Sequence, residues 1–150
     1  MKDRIILSMI ILLGTVFGVC IYAYAANSTA NSVVVKNHQI VKGEDIWNNF
    51  KKNTSDGRSD SIHIIMDEDG KLYNNELSFD GAYFQYHSEM ESKMYKRKYL
   101  LDLKGEVPVA KTVTRWVVLA DQKYTLNELI NSVTSNDSGD WLDFDIIFLD

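Results

Sequence analysis

The chain has 150 residues, 45% of them hydrophobic and 25% charged, with a formal net charge of −5. That size and balance suit one globular domain with a modest core, and the acidic surplus argues against a nucleic-acid partner. A single cysteine, Cys20, excludes an intramolecular disulfide framework.

From Ile5 to Val35 there is no charged residue, and the apolar stretch follows a short start carrying Lys2, Asp3 and Arg4. A positive end, an apolar run and the small-residue pattern Ala23-Tyr24-Ala25 together predict a signal peptide over 1–25, cleaved between Ala25 and Ala26. The alternative is an uncleaved anchor, because about 20 apolar residues suffice to span a bilayer as a helix. In both cases Lys2 and Arg4 stay inside and the domain goes outside. Cys20 follows Val19 and Gly18, a poor setting for lipid attachment, and reads as a small apolar residue of the segment. Removing Lys2, Asp3 and Arg4 leaves 14 basic and 20 acidic side chains, a net charge of −6.

Residues 26–32 read as a linker, and a single domain is expected over 33–150, with polar and then β-branched residues up to Gln39 adding at most a short strand. "VKGEDIWNNFKKN" predicts a short amphipathic helix: Gly43 precedes it, Glu44 and Asp45 suit the first turn, and Ile46, Trp47 and Phe50 share a side. Gly57 in "TSDGRSD" ends it. Ser61 to Asp67 alternates, with Ile62, Ile64 and Met66 on one face, and Lys71–Phe79 and Ala82–His87 are further extended runs. Their separators "DEDG" and "FDG" carry Asp-Gly, suited to tight hairpin turns, so Gly70 and Gly81 should lie in turns of a meander. Further strands are expected at Tyr99–Leu103 and at Thr112–Ala120, the latter central because it is nearly continuous in apolar residues around Trp116.

"YTLNELINSV" predicts a helix with a capping box from Thr125 and Glu128 and an apolar stripe of Leu126, Leu129, Ile130 and Val133. "WLDFDIIFLD" predicts a last strand with Phe144, Ile146 and Phe148 on one face. The fold class expected is α+β: a mostly antiparallel sheet of five to six strands, a meander, with two short helices packed on it.

Candidate chemistry is sparse. Placing Gly70 at the sixth position of a calcium loop makes Asp67, Asp69 and Glu76 ligands but puts Ile65 at the first, so a hairpin turn is favoured. His63 and His87, with Asp67, are the residues a transition-metal site would use, yet they fall on the first and third strands of the meander; no metal and no cofactor are expected. There is no G-x-S-x-G and no Gly-rich phosphate loop, and twenty carboxylates make any chosen pair arbitrary. Asn27, Asn53 and Asn136 begin glycosylation acceptor patterns, relevant only where the host glycosylates. The basic run of Lys93, Lys96, Arg97 and Lys98 between tyrosines reads as a solvated connection or an edge strand protected by charge. Among the meander's aromatics, Tyr73, Tyr83 and Tyr86 are candidates for an outward interaction surface, since strand residues alternate faces.

The order of an export segment, Asn37 and His38, an aromatic helix with Trp47 and Phe50, Gly57, Asp60 followed by Ile62 and Ile64, Gly70, Leu77 and Asp80-Gly81 resembles a group of small exported Gram-positive bacterial proteins classed as a domain of unknown function, a likeness over about Asn37–Tyr86. The resemblance implies an envelope or secreted protein and assigns no activity. Members of that group often carry a lipid-attachment cysteine and a later cysteine, which this chain lacks. The expected function is therefore non-enzymatic binding at the outer face of a bacterial cell envelope, toward an envelope or secreted protein partner, with membrane contact only through the N-terminal segment. The alternative is a metal- or carboxylate-dependent hydrolase acting on an envelope substrate.

Overall fold

The computed structural model describes residues 31–107, 112–135, 137 and 141–149. The expected signal segment with Cys20, Ala25 and Ala26, and the acceptor residues Asn27 and Asn136, lie outside the described residues.

Among the described residues the architecture is α+β, with nine strands in two sheets and two helices. In chain order the elements are β1 (Ser32–Lys36), β2 (Gln39–Lys42), α1 (Glu44–Ser55), β3 (Asp60–Glu68), β4 (Lys71–Phe79), β5 (Phe84–Ser88), β6 (Lys93–Arg97), β7 (Tyr99–Val107), β8 (Thr112–Ala120), α2 (Leu126–Thr134) and β9 (Phe144–Leu149). The first sheet has the order β2-β1-β3-β4-β5-β6 and the second β7-β8-β9.

Three features depart from a single antiparallel meander of five to six strands. The first is that the strands divide between two sheets, because the chain turns out of the first sheet after β6. The stretch up to Gln39, expected to add at most a short strand, opens a hairpin: Asn37 and His38 both take positive φ, 48° and 67°, and join β1 to β2 in a two-residue turn. The main sheet is also mixed, because β1 runs parallel to β3, with Val33 beside Ile64 and Val35 beside Met66. A parallel neighbour needs a crossover, and α1 supplies it while covering the sheet face.

The meander itself stands as expected. Ile62, Ile64 and Met66 are buried on one face of β3. Asp69 and Gly70, at φ 53° and 83°, make the two-residue turn between β3 and β4, with Glu68 opposite Lys71. Four residues, 80–83, link β4 to β5, and the Asp80 carboxylate accepts the backbone N–H groups of Ala82 and Tyr83, at 2.9 and 2.8 Å. Gly81 takes φ 99° there, and no helix falls between His63 and His87.

The chain leaves the first sheet at one residue, Lys98, between β6 and β7. On the second sheet, alternation gives two buried faces. Val117, Leu119, Ile147 and Phe148 pack with the inner face of the first sheet, with Trp47 and Phe50 of α1 in the same core. Trp116, Val118, Ala120 and Leu101 face the other way, toward Leu129 of α2. The order of layers is six-stranded sheet, three-stranded sheet, helix α2, and β8 is central in its sheet. Trp47 joins the layers, its ring 6.3 Å from Phe50 and edge-on to Phe148 at 5.8 Å. Full burial of side chains this large contributes about 1.5–3 kcal/mol each.

Gly43 caps α1 from the left-handed region, at φ 83°, and a Cβ there would stand 2.5 Å from the Ser32 carbonyl oxygen. Only glycine allows α1 to start so close to β1. Helix α2 carries the expected capping box, with Thr125 accepting from the Glu128 N–H. Its buried face is rotated from the expected stripe: Leu129 is buried and Leu126 and Ile130 partly so, but Val133 is exposed, while Ser132 is buried and accepts the Leu142 N–H at 2.7 Å. Strand β9 also differs. Val117 pairs with Phe148 and Val118 with Ile146, so Ile147 is an extra, bulged residue. The bulge puts Ile147 and Phe148 together in the core and leaves Ile146 43% exposed, where strict alternation places Ile146 inside with Phe148.

Candidate functional site

The residues singled out by sequence go to different places. Tyr86 is buried in the core, Tyr73 packs partly buried on the same core, and Tyr83 is 43% exposed in the turn between β4 and β5. They do not share one surface. His63, Glu76 and His87 are aligned in register across β3, β4 and β5 on the exposed face. Among the described residues no group of three or more His, Cys, Asp or Glu side chains could hold a metal ion. In the acidic turn, Asp67 is engaged otherwise: it pairs with Lys36 at 2.9 Å and accepts the Gly70 N–H at 3.0 Å, which hold its carboxyl below the ordinary range. The Asn53 side chain donates to Asp60 at 2.8 Å.

The basic run forms edge strand β6 and the corner after it. Lys93 lies over Tyr95 at 4.4 Å from the ring centre and Lys96 over Tyr83 at 4.6 Å. Arg97 turns inward to three carboxylates, Asp121 at 3.0 Å and Asp143 and Asp145 at 2.7 Å each, and ties β6 to the second sheet.

A cleft of about 640 Å³ lies between the end of α1, the turn after β4 and the corner at Lys98. Phe79, Phe84 and Leu100 form apolar wall, the two phenylalanine rings 4.6 Å apart. Lys51, Lys98 and Lys123 line it as well, and among the described residues Asp102 is the one acidic residue lining it. The cations come from three segments: Lys51 from α1, Lys98 from the β6–β7 corner and Lys123 from the loop between β8 and α2. The Lys98 and Lys123 ammonium groups both lie near the Tyr99 ring, 5.6 and 5.5 Å from its centre.

Below the cleft, Asp102 of β7 gathers three donors. Arg115 of β8 makes two hydrogen bonds to it, 2.8 and 2.9 Å, the Lys51 ammonium donates at 2.6 Å and the Trp47 indole N–H at 2.9 Å. Burial alone pushes the Asp102 carboxyl up, but these donors outweigh it and hold the group well below the usual carboxylate range. Arg115 also reaches Glu44 at 3.3 Å. Asp102 is therefore ionised and already matched, and the cleft as a whole is cationic.

Sequence reading singled out Lys98 within the basic run but not Lys51, Tyr99, Asp102, Arg115 or Lys123 as site residues. Each is an ordinary side chain in its local context, and only the packing of α1 against both sheets makes them neighbours. Among the described residues no helix is long and apolar enough to cross a membrane. No family model, no curated protein and no solved structure matches the chain.

Proposed function

We propose that this chain is an exported domain that works by binding at the outer face of a bacterial cell envelope, in keeping with the small exported Gram-positive proteins it resembles, and that it engages its target in the cleft between α1 and the two sheets. The observation that carries the reading is the cleft's lining: an apolar wall of Phe79, Phe84 and Leu100 beside three lysines. Among the described residues Asp102 is the one carboxylate that lines the cleft, and Arg115, Lys51 and Trp47 already hold it, so the cleft offers a target cations and apolar surface. Apolar surface beside a few convergent polar groups is the usual make-up of a ligand site.

The test is capture of envelope components by the full-length chain in a Gram-positive host, comparing wild type with K98E/K123E in the cleft and with K93E/K104E away from it. Components retained by wild type and by K93E/K104E but lost from K98E/K123E support binding through the cleft. Equal retention by all three sinks it. Intact mass of the exported protein tests the export step, with a start at Ala26 expected.

A further inference from the structure

Resting on the cleft as the binding site, we infer that its ligand carries a phosphate group, held by Lys98 and Lys123 beside Tyr99. Among the described residues neither ammonium makes an ion pair, although both stand within reach of one ring. Asp121, next to the Lys98 backbone, receives the Lys98 N–H and the Arg97 guanidinium. Two unpaired like charges that converge on one concave wall repel each other and attract a shared anion.

The kind of anion follows from which cations are left over. An arginine fork grips a carboxylate or a phosphate through two parallel hydrogen bonds, whereas the lysine ammonium is a compact point charge that sets no planar demand, the form in which lysine binds phosphate. In this fold Arg97 and Arg115 are spent on aspartates, and the cations lining the cleft among the described residues are lysines. Lys51 adds a third positive charge at the other end, though its ammonium is held by Asp102 at 2.6 Å, so it contributes field rather than a free donor. Tyr99 and Phe84 offer the body of the ligand an aromatic and apolar surface, so a phosphate ester of an organic group fits better than the bare ion. A soluble phosphate ester and an anionic lipid headgroup share this chemistry.

The experiment uses full-length chain in neutral detergent at low ionic strength, where surface charge is least screened. Pyrophosphate, glycerol phosphate and, as a carboxylate control, citrate are titrated calorimetrically into wild type, K98A, K123A, K98A/K123A and the remote K93A/K104A. Flotation with phosphatidylglycerol and phosphatidylcholine vesicles forms the second arm, scored as the difference between wild type and K98A/K123A so that insertion of the N-terminal segment cancels. The expected result is binding of glycerol phosphate that weakens about tenfold for each lysine removed, is unchanged in K93A/K104A and exceeds citrate binding. Loss confined to the soluble esters assigns the source as a soluble ester, and loss of phosphatidylglycerol flotation as well assigns the headgroup; both support phosphate recognition. Citrate binding equal to glycerol phosphate, or no difference between the cleft and remote variants, overturns it. If phosphate binding is absent while K98E/K123E still abolishes capture of envelope components, the binding reading stands and only the ligand class falls.

Discussion

Asp102 and Arg115 form a diagonal pair across β7 and β8, joined by two hydrogen bonds, Nε to Oδ1 at 2.8 Å and Nη2 to Oδ2 at 2.9 Å. The pair lies under α1, and Trp47 and Lys51 complete the aspartate's partners from that helix. One carboxylate thus fixes where α1 sits against the second sheet, and with it the back of the cleft.

Replacing Asp102 by Ala removes the acceptor and leaves Arg115, Lys51 and the Trp47 indole without it. Among the described carboxylates Arg115 keeps only the exposed Glu44, at 3.3 Å, so little charge compensation is available. D102A is expected to lower stability by about 3–5 kcal/mol, as for the loss of one partner from a buried pair. Urea unfolding followed by tryptophan fluorescence measures it, and a change below about 1 kcal/mol would show that the cluster does not hold α1 in place.

Stability should fall on both sides of neutrality for different groups. Asp102, Asp67, Asp80 and Asp143 are each held below the ordinary 3.8 by hydrogen bonds or cations. Their stabilising effect is complete above that value and is lost as pH drops below it, so acid unfolding begins under about pH 4. On the alkaline side, the hydrogen bond from Tyr95 to Glu91 raises the Tyr95 hydroxyl from 10.0 to about 12, and burial raises Tyr86 further. Their contribution is complete below pH 10 and lost as pH climbs through 12. Ultraviolet titration of tyrosinate should show these two ionising last, and Y95F should remove one of the late steps and flatten the fall in melting temperature above pH 10.

Two glycines with the same φ, 83°, separate backbone strain from steric contact. At Gly70 an added Cβ meets nothing within 4 Å, so G70A carries strain alone, about 1 kcal/mol. At Gly43 the Cβ would meet the Ser32 carbonyl at 2.5 Å, and α1 or β1 must shift. G43A is expected to cost about 2–3 kcal/mol, and thermal unfolding of the two variants side by side decides whether the contact adds to the strain.

The bulge in β9 makes neighbouring isoleucines unequal. Ile147 is 5% exposed and Ile146 is 43% exposed. I147A should cost about 2–5 kcal/mol and I146A less than about 1 kcal/mol. The opposite order in chemical denaturation would mean that β9 pairs with β8 without the extra residue.

Period, turn chemistry and capping are local, and they were readable before the chain was folded. Alternation at Ile62, Ile64 and Met66, the Asp69-Gly70 turn, and Thr125 with Glu128 depend on residues a few positions apart, so strands β3 to β5 and helix α2 follow from the sequence alone. Partner choice is not local. Nothing in "SVVVK" says that β1 lies parallel to β3, nothing in "KRKYL" marks Lys98 as the corner between two sheets, and nothing in "DIIFL" shows which isoleucine is the bulged one. Those choices depend on which faces must be covered at once, and on carboxylates such as Asp102 and Asp145 that draw distant cations inward. The cleft is the clearest case: Lys51, Lys98 and Lys123 are unremarkable one at a time, and burial of Trp47 and Phe50 between two sheets is what brings them to one wall.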